Sequence, residues 1–406
     1  MTWLAQLIFG NFWTTVALGG ASGEWTLACW LGGAPGSWAA HLAAILGLTL
    51  VNRLAAEAFD RERHSAPALH TAGGVVLAGG VVAAAGAGAL AIAAVAWLVG
   101  GAALVALPAR AGALDAQAVA WFGPPFAPLA GVAVTAAMAI AAWGYTHGHR
   151  RLRMTRLDVA IVGLPRSLDG LRIAHISDLH LGPTAHREAL RDAIDRVNAL
   201  EPDLVCVSGD LIDSPVTDLS HWTPELARLH ARRGVYAVLG NHDRYAGADR
   251  VAAALGAHTH WRLLRDEVVR VDAGGATFHL IGLEDRPGPL SAAMLPGMYE
   301  QVPEGEPCVL LVHQPAAFPT AAALGVPLTL AGHTHGGQIA FPGLPAANPA
   351  RLLMTQYDGG TFTSGGAVLH VNRGLGTSGQ RVRVAVPREV TVVTLVAAAG
   401  AGAAAA

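Results

Sequence analysis

Charged residues are scarce in this chain, and lysine is absent altogether. Only 14% of the 406 residues are charged, against 52% that are hydrophobic, and all 27 basic side chains are arginine. The formal net charge of −2 offers no basic surface of the kind that binds nucleic acid, so nucleic acid is not expected as a partner. The three cysteines, Cys29, Cys206 and Cys308, are widely spaced, which excludes a disulfide framework and a cysteine-based zinc site.

The scarcity of charge is most pronounced before residue 150. Residues 1–52 contain one acidic residue, Glu24, and no basic residue. A helix needs ~20 mostly apolar residues to cross a bilayer. Four segments meet that requirement: 3–20, 38–56, 75–98 and 127–146. The third lies in an apolar run, 73–107, that is long enough for one span with excess or for two short spans. We therefore predict a transmembrane helical region over residues 1–149, with a buried helical bundle in water as the alternative.

The placement of arginine predicts how this region is oriented. Two clusters follow the second and the fourth predicted span: Arg53, Arg61 and Arg63, and Arg150, Arg151, Arg153 and Arg156. Arg110 is the only basic residue between the clusters. Four spans with both termini inside place both clusters on the cytoplasmic side, as the positive-inside rule requires. The sequence thus predicts a multi-pass protein of the inner membrane with its carboxyl-terminal domain in the cytoplasm. A cleaved signal peptide is disfavoured because no positive residue precedes the first apolar segment.

Beyond residue 150 the chain alternates short apolar runs with turns and helical stretches. The predicted strands are 171–177, 203–208, 235–239, 277–283, 308–312, 328–331, 367–372 and 389–396. Their richness in Val, Leu and Ile suits strands that are buried on both faces. Residues 186–200 predict an amphipathic helix, and 221–232 and 247–256 predict weaker ones. We therefore expect an α/β (α+β) sandwich of two mixed sheets flanked by helices.

This organisation gives three segments after the membrane region. Residues 150–170 form a linker and a first strand, and residues 171–396 form the sandwich domain. Residues 397–406 are an alanine- and glycine-rich tail of low complexity, for which we expect no structural role.

Polar residues follow the predicted strands at the points where the strands end. In chain order they are Asp178 with His180, Asp210, Asn241 within Gly-Asn-His-Asp, His313, and His333 with His335. Open α/β folds gather ligand-binding residues at the carboxyl ends of their strands. Side chains two residues apart on an extended segment point the same way, so Asp178 and His180 can hold one ion together. The mixture of Asp, Asn and His without Cys favours Mn²⁺, Fe²⁺, Fe³⁺ or Zn²⁺. The series therefore predicts a pocket that holds two divalent metal ions.

These segments resemble the calcineurin-like metallophosphoesterase family. The matching stretches are Ile173–Gly182, Gly240–Asp243, Val312–Pro315, Leu330–Ile339 and Val371–Ser378. They are similar to a bacterial, membrane-associated phosphodiesterase branch that is compared with UDP-2,3-diacylglucosamine hydrolases. The resemblance covers about residues 170–390 and does not extend to residues 1–150. One departure is Val386-Pro-Arg-Glu-Val390, where the branch usually has Pro-Pro-Glu, and it puts only substrate contacts in doubt.

The resemblance implies a four-layer sandwich and a role for each polar residue. It implies two sets of three ligands, one for each ion: Asp178, His180 and His335, and Asn241, His313 and His333. Asp210 would bridge the two ions. His242 would face the substrate phosphate and the leaving group, with Asp243 beside it, and both are candidate catalytic residues. Asn372 and Arg373, after a later strand, are further candidates for substrate contact.

We expect a membrane-anchored, metal-dependent phosphoesterase that hydrolyses a phosphodiester. Two divalent ions can activate a bridging hydroxide for attack on phosphorus, and His242 can protonate the leaving oxygen. A membrane anchor favours a lipid-linked substrate, because tethering raises the local concentration of such molecules around the enzyme. Membrane lipids would then be the other partners. The alternative function is a membrane sensor or transport module that uses the phosphoesterase fold to bind a ligand.

Overall fold

A computed structural model describes residues 139–140, 142–182, 185–213, 217–287, 289–340, 348, 350–351, 354–378 and 381–398. The chain divides into two compact units, Met1–Gly144 and Tyr145–Ala406. The predicted membrane spans lie outside the described residues, apart from the last residues of 127–146. Within the described part of the chain, no helix combines the length and the apolar character needed to cross a membrane.

Twelve strands in the described residues form two six-stranded sheets. The first sheet has the order β1 (Leu152–Val162), β12 (Arg388–Ala398), β2 (Arg172–Ile176), β3 (Leu204–Ser208), β4 (Val235–Val238) and β5 (Arg262–Leu263). All neighbours in this sheet are parallel except β12 and β2. Strand β12 runs to Ala398, two residues into the segment predicted to be a tail without a structural role, and pairs with β1 along its whole length.

The second sheet is also mixed. Its order is β10 (Gly360–Ser364), β11 (Ala367–Val371), β9 (Leu328–Ala331), β8 (Cys308–Leu311), β7 (Ala276–Gly282) and β6 (Glu267–Ala273). The four inner strands are parallel, and the two edge strands run antiparallel to their neighbours. Both sheets therefore present the carboxyl ends of several parallel strands at one edge.

Helices cover the outer faces of both sheets. They are α1 (Arg187–Ala199), α2 (Thr223–Leu226), α3 (Asn241–Tyr245), α4 (Ala248–His258), α5 (Leu290–Tyr299) and α6 (Phe318–Leu324). Helix α1 buries Ile194 and Val197 against the first sheet, in the same cluster as Val205 and Val207 of β3. Helices α5 and α6 bury Leu295, Phe318 and their neighbours against the second sheet. The order helix, sheet, sheet, helix confirms the predicted architecture of two mixed sheets flanked by helices.

A third apolar cluster fills the space between the sheets. Strand β3 contributes Leu204 and Cys206 to it, whereas Val205 between them faces the helices. Phe278 of β7 enters the same cluster from the second sheet. Successive side chains of a strand point to opposite faces, so a continuous apolar run is what a strand buried on both faces requires. Cys206 and Cys308 are both buried with free thiols, as their positions in predicted strands indicated.

The eight predicted strands are confirmed, with bounds that differ by one or two residues, and so is the amphipathic helix 186–200. The predicted helix 221–232 is reduced to the four residues of α2 and a 3₁₀ turn before it, Leu219–His221. The structure adds α5 and α6, which the sequence analysis did not predict. Helix α5 contains Pro296, which has no backbone N–H donor. Because proline is unfavourable inside a helix, its presence in the sequence argues against a helix there.

Replacing Phe278 by alanine should test the core between the sheets. Phe278 is fully buried, so Phe278→Ala removes a large side chain from a site that can only partly collapse. We expect the free energy of unfolding to fall by ~3–5 kcal/mol. Denaturant unfolding of the full-length chain in detergent, followed by circular dichroism, measures this change. Leu290, which is 54% exposed, provides the control, since Leu290→Ala should change the stability by less than ~0.5 kcal/mol. Equal losses in the two variants would contradict the assignment of Phe278 to the core.

Candidate metal centre

Each predicted ligand lies just beyond the carboxyl end of a parallel strand. Asp178 and His180 follow β2, Asp210 follows β3, Asn241 follows β4, His313 follows β8, and His333 and His335 follow β9. The first three of these strands belong to one sheet and the last two to the other. The site is therefore built where the strand ends of both sheets meet, and the structure brings all seven predicted ligands together there.

Five of the ligand residues have a left-handed backbone. They are Asp178, His180, Asp210, His333 and His335, with φ angles of 49°, 42°, 52°, 74° and 52°. Such a conformation costs ~1–3 kcal/mol at a residue other than glycine and persists where surrounding contacts hold it. Here the amide of Asp178 donates to the carbonyl of Gly209, and the amide of His180 donates to the carbonyl of Asp210. Hydrogen bonds between neighbouring strand ends thus hold the turns that aim the side chains inward.

Glycines beside the ligands leave room for the carboxylates. A Cβ atom on Gly240 would lie 2.2 Å from Oδ1 of Asp210. One on Gly332 would lie 2.5 Å from Oδ2 of Asp178. Any larger residue at either position would push a carboxylate out of place. This close approach explains the glycines that open the Gly-Asn-His-Asp and Gly-His-Thr-His-Gly segments.

The first group of donor atoms comes from Asp178, His180 and His335. One donor atom from each lies within 4.8 Å of the others. The Nε2 atoms of His180 and His335 are 3.0 Å apart, and Nε2 of His335 is 3.6 Å from Oδ1 of Asp178. All three side chains are buried. This is the set that the family resemblance implies for one ion.

The second group is built around His313. Its Nε2 atom lies 3.0 Å from Oδ1 of Asn241, 3.2 Å from Nδ1 of His333 and 3.4 Å from Oδ2 of Asp210. The same Oδ2 atom of Asp210 is also 3.5 Å from Nε2 of His180 in the first group. One carboxylate oxygen therefore lies between the two groups, where a bridging ligand is expected.

The donor set fits two divalent cations. In each group, two imidazole nitrogens face each other across 3.0–3.2 Å, and carboxylate oxygens lie beside them. Two ring nitrogens at this distance can both be satisfied as acceptors when a cation lies between them. Imidazole nitrogens and carboxylate oxygens are ligands for Zn²⁺, Mn²⁺ and Fe²⁺. The arrangement confirms candidate metal-binding groups at the predicted position.

Burial and neighbouring charges set the protonation of the cluster without metal. Burial opposes a charge on Asp210, but His313 and then His180 hold the pKa of its carboxyl group well below its usual range. Burial likewise opposes a charge on His313, but the Asp210 carboxylate raises the pKa of that ring to about 10. Burial and the charge on His313 lower the pKa of His333 to about 3, and burial with the charge on His180 lowers the pKa of His335. The last two rings are therefore neutral, the form in which histidine binds a metal ion.

Hydrogen bonds outside the groups orient two of the imidazoles. Nδ1 of His180 donates to Oδ1 of Asp213 across 3.2 Å, and Nδ1 of His313 donates to the carbonyl of Ser208 across 2.8 Å. When these rings are neutral, the proton on Nδ1 leaves the lone pair of Nε2 facing the site, which is the form that binds a metal ion. Such partners fix the tautomer and the orientation of metal-bound histidine. Asp213 was not predicted from the sequence, because a single Asp in a loop after a strand carries no distinctive signal.

His242 lies at the mouth of the site. Its Nδ1 atom donates to the backbone carbonyl of Asp213 across 2.8 Å, and its ring centroid is 4.7 Å from that of His180. The side chain is 26% exposed, unlike the buried imidazoles of His180, His313 and His335. A donor atom of His242 also lies within 4.8 Å of donor atoms of His180 and Asp210. His242 is thus within reach of a molecule held at the cluster.

Asp243 has a different environment from the one predicted. Its buried carboxylate accepts hydrogen bonds from the backbone amides of Leu211, Ile212 and Gly240 at 2.9–3.0 Å. Burial and the nearby Asp210 carboxylate raise the pKa of Asp243 to about 7, and these three amides act in the opposite direction. A direct action of Asp243 on the substrate stays a prediction, and its observed contacts are all with the backbone of the two turns. They make it a positioning residue that ties the turn after β3 to the turn after β4.

Asn372 and Arg373 also turn inward rather than toward a substrate. Asn372 is fully buried, and its side chain links the carbonyl of His175 with the amide of Gly374. Arg373 pairs with the buried carboxylate of Glu389 across 2.8 Å. Both residues therefore hold the strand ends that surround the site, and substrate contact by either of them stays a prediction.

Comparison with known proteins identifies relatives of this chain. Residues 171–337 match the family described as Calcineurin-like phosphoesterase. A "Transmembrane protein with metallophosphoesterase domain" from Bos taurus is 32% identical over 285 residues, which cover 67% of this chain and 63% of that protein. An "Uncharacterized metallophosphoesterase" from Bacillus subtilis, YkuE, is 32% identical over 237 residues, which cover 57% of this chain and 81% of that protein. The crystal structure of a dimetal phosphatase from Danio rerio aligns with a TM-score of 0.33 and 14% identity, covering 56% of this chain and 93% of that one.

Replacing Asp213 should weaken metal binding without removing a ligand. Asp213→Ala leaves Nδ1 of His180 without its carboxylate partner. We expect metal affinity to fall by ~10–100-fold, the usual effect of losing such a partner. Competition with a fluorescent chelator measures the affinity of the full-length protein for Mn²⁺ or Zn²⁺. Asp195→Ala, at a site that is 56% exposed and paired with Arg228, is the control and should not change it. Unchanged affinity in Asp213→Ala would show that the contact with His180 does not orient a ligand.

Proposed function

Because the chain belongs to the calcineurin-like metallophosphoesterase family, we propose that it is a metal-dependent phosphoesterase that hydrolyses a phosphodiester. The observation that carries the proposal is the position of Oδ2 of Asp210, within 3.5 Å of ring nitrogens from both donor groups. A carboxylate oxygen shared by two sets of nitrogen and oxygen donors is what a pair of ions acting on one phosphoryl group requires.

We assign the ligands from these distances. Asp178, His180 and His335 would hold one ion, Asn241, His313 and His333 would hold the other, and Asp210 would bridge them. The ions would be Mn²⁺, iron or Zn²⁺, since the donors are nitrogen and oxygen without sulfur. When bound, they would supply positive charge for the phosphoryl oxygens and would lower the pKa of a water molecule toward neutrality.

His242 would act on the leaving group. Its Nδ1–H is held by the carbonyl of Asp213, so Nε2 is the ring nitrogen that remains for a substrate. Partial exposure at the mouth of the site lets it reach a bound ester while the buried imidazoles remain with their ligand partners. A protonated His242 would give its proton to the departing oxygen. Asp243 would serve this step indirectly, because it holds the amide of Gly240 and so fixes the start of the helix that carries His242.

A membrane anchor is part of the proposal. Two relatives, from Bos taurus and Danio rerio, are named transmembrane proteins with a metallophosphoesterase domain. This chain spans 63% and 61% of the length of those relatives. The apolar segments in residues 1–149 support four membrane spans. The arginine clusters after the second and fourth spans support a catalytic unit at the cytoplasmic face of the inner membrane. A lipid-linked phosphodiester is then the substrate class that an anchored enzyme would meet most often.

Asp210→Asn tests the hydrolytic function. The substitution removes the charge that would bridge two cations while keeping nearly the same shape. We expect the purified full-length protein to hydrolyse bis(p-nitrophenyl) phosphate with added Mn²⁺ and the variant to lose this activity. Parallel assays with p-nitrophenyl phosphate give the preference for diesters over monoesters. Asp195→Asn, at a side chain of α1 that is 56% exposed, is the matched control and should remain active. Full activity in Asp210→Asn, or no metal-dependent activity in the wild type on either ester, would count against the proposal.

His242→Asn tests the role of the histidine at the mouth. We expect kcat to fall by ~10²–10⁴-fold, the range for loss of a general acid, with the metal content unchanged. The loss should be larger for a phosphodiester with an alkyl leaving group than for one that releases p-nitrophenolate, because nitrophenolate departs with little protonation. Stopped assays on both esters, beside metal analysis of the protein, measure the two effects. An equal loss on both leaving groups would rule out proton donation as the role of His242.

A further inference from the structure

A second pocket adjoins the candidate metal centre. It has a volume of 490 Å³, its open mouth included, and its wall contains His180 of the first donor group. Four other wall residues are two imidazoles, His149 and His186, and two guanidinium groups, Arg381 and Arg388. The remaining wall is largely apolar and includes Leu179, Leu181, Leu190 and Leu375. None of the described residues that line this pocket is Asp or Glu.

His149 is a buried polar side chain without a partner in this pocket. It is only 6% exposed, and neither of its ring nitrogens makes a hydrogen bond within the described residues. Its ring stacks on that of His186 with 5.5 Å between centroids. Burial and then Arg381 lower the pKa of His149 to about 4, so the ring is neutral near neutral pH and offers one N–H donor. A buried donor that lacks a partner is costly, and a ligand in the pocket would supply one.

The two arginines of the pocket also lack a counter-ion. Arg388 is 5% exposed, and its guanidinium donates to the backbone carbonyls of Ala189 and Arg150. Arg381 donates to Nε2 of His186 across 2.7 Å. Among the described residues, neither arginine lies within ion-pair distance of a carboxylate; the charge of Asp192 acts on Arg388 from farther away. The Nε atom of each arginine has no hydrogen-bond partner there. A buried guanidinium without a paired charge is strongly disfavoured. An anion bound in the pocket would supply that charge, so the pocket favours an anionic ligand.

The amino-terminal end of α1 adds to this preference. The pocket wall includes Ala185, His186 and Ala189, which surround the start of this 13-residue helix. His186 at the cap position makes no side-chain capping bond. The first N–H groups of a helix have no partner within the helix, and the positive end of the helix dipole attracts anions. Helix and arginines therefore favour the same kind of ligand.

We propose that this pocket is a phosphate-binding subsite beside the metal centre. Guanidinium groups and helix amides offer several donors, which match the several oxygens of a phosphate ligand better than the two oxygens of a carboxylate ligand. The leucines would contact an uncharged part of the same ligand. Phosphate of this kind has two sources, a second phosphoryl group on the substrate or the headgroup of an anionic lipid. Binding at the subsite does not require the hydrolysis proposed above. An experiment can therefore contradict the subsite proposal without contradicting the proposed function, and the reverse.

Titration of inorganic phosphate into the metal-free, full-length protein tests the subsite. Chelator-treated and dialysed protein in neutral detergent is used, with isothermal titration calorimetry as the readout. We expect saturable binding in the wild type and a Kd at least ~10-fold higher in Arg381→Gln, which loses a charged donor. Arg381 is partly exposed and bonds to another pocket residue, so its replacement should leave the fold intact. The matched control is Arg270→Gln, at a side chain 68% exposed on β6, which should bind like the wild type.

Lipid competition distinguishes the two sources. The phosphate titration is repeated in mixed micelles that contain phosphatidic acid or, for comparison, phosphatidylcholine. Loss of phosphate binding with phosphatidic acid alone assigns the subsite to a lipid headgroup, and unchanged binding assigns it to a phosphoryl group of the substrate. Absence of saturable phosphate binding in the wild type, or the same Kd in the wild type and Arg381→Gln, would overturn the proposal.

Discussion

The burial of Asp210 among histidines is the constraint on which the rest of the site depends. This carboxylate is 2% exposed, and its Oδ2 atom is within 3.5 Å of ring nitrogens from two separate strand ends. Taking such a charge out of water is expensive unless hydrogen bonds and opposite charges replace the lost hydration. The neighbouring residues supply that replacement: His313 provides the opposite charge, and the amide of His242 donates to Oδ1 across 2.8 Å.

The loops around Asp210 form one connected network of backbone bonds. Asp243 joins the turn after β3 to the turn after β4 through three amides. Across the sheets, the amide of His333 donates to both oxygens of Asp178 at 3.0 and 3.1 Å, and Asn372 links the turn after β11 to β2. Asp178 and Asp210 thus face the donor groups, and Asp243 fixes the loops beside them. This network explains how five left-handed residues remain in a conformation that costs free energy at each of them.

Sequence patterns were enough to predict the strands that carry ligands but not the elements at the edges. The parallel inner strands are buried on both faces, and continuous apolar runs mark them clearly. Strand β10 (Gly360–Ser364) is an edge strand with mainly exposed residues, so its sequence of Gly, Thr and Ser resembles a loop. The ligands were predictable because histidine and aspartate at successive strand ends are an unusual combination. Asp213 was not, since its role depends on the spatial position of His180 and not on any spacing in the sequence.

The environment of Asp243 could not be predicted from its place beside His242, and helix geometry gives the reason. Both residues lie on α3, where successive side chains are ~100° apart around the axis. If His242 faces the mouth of the site, Asp243 must turn away from it, toward the turn after β3. Adjacent residues on a helix therefore face different surroundings, so neighbours in sequence need not share an environment.

The alternation of side chains along a strand separates two roles within residues 386–390. Arg388 and Glu389 are adjacent on β12, so their side chains leave the strand on opposite faces. Glu389 binds Arg373 and supports the turn beside the metal centre, whereas Arg388 lines the second pocket. Because the two side chains leave the strand on opposite faces, a change at position 388 would alter the charge of the second pocket without disturbing the contact of Glu389 with Arg373.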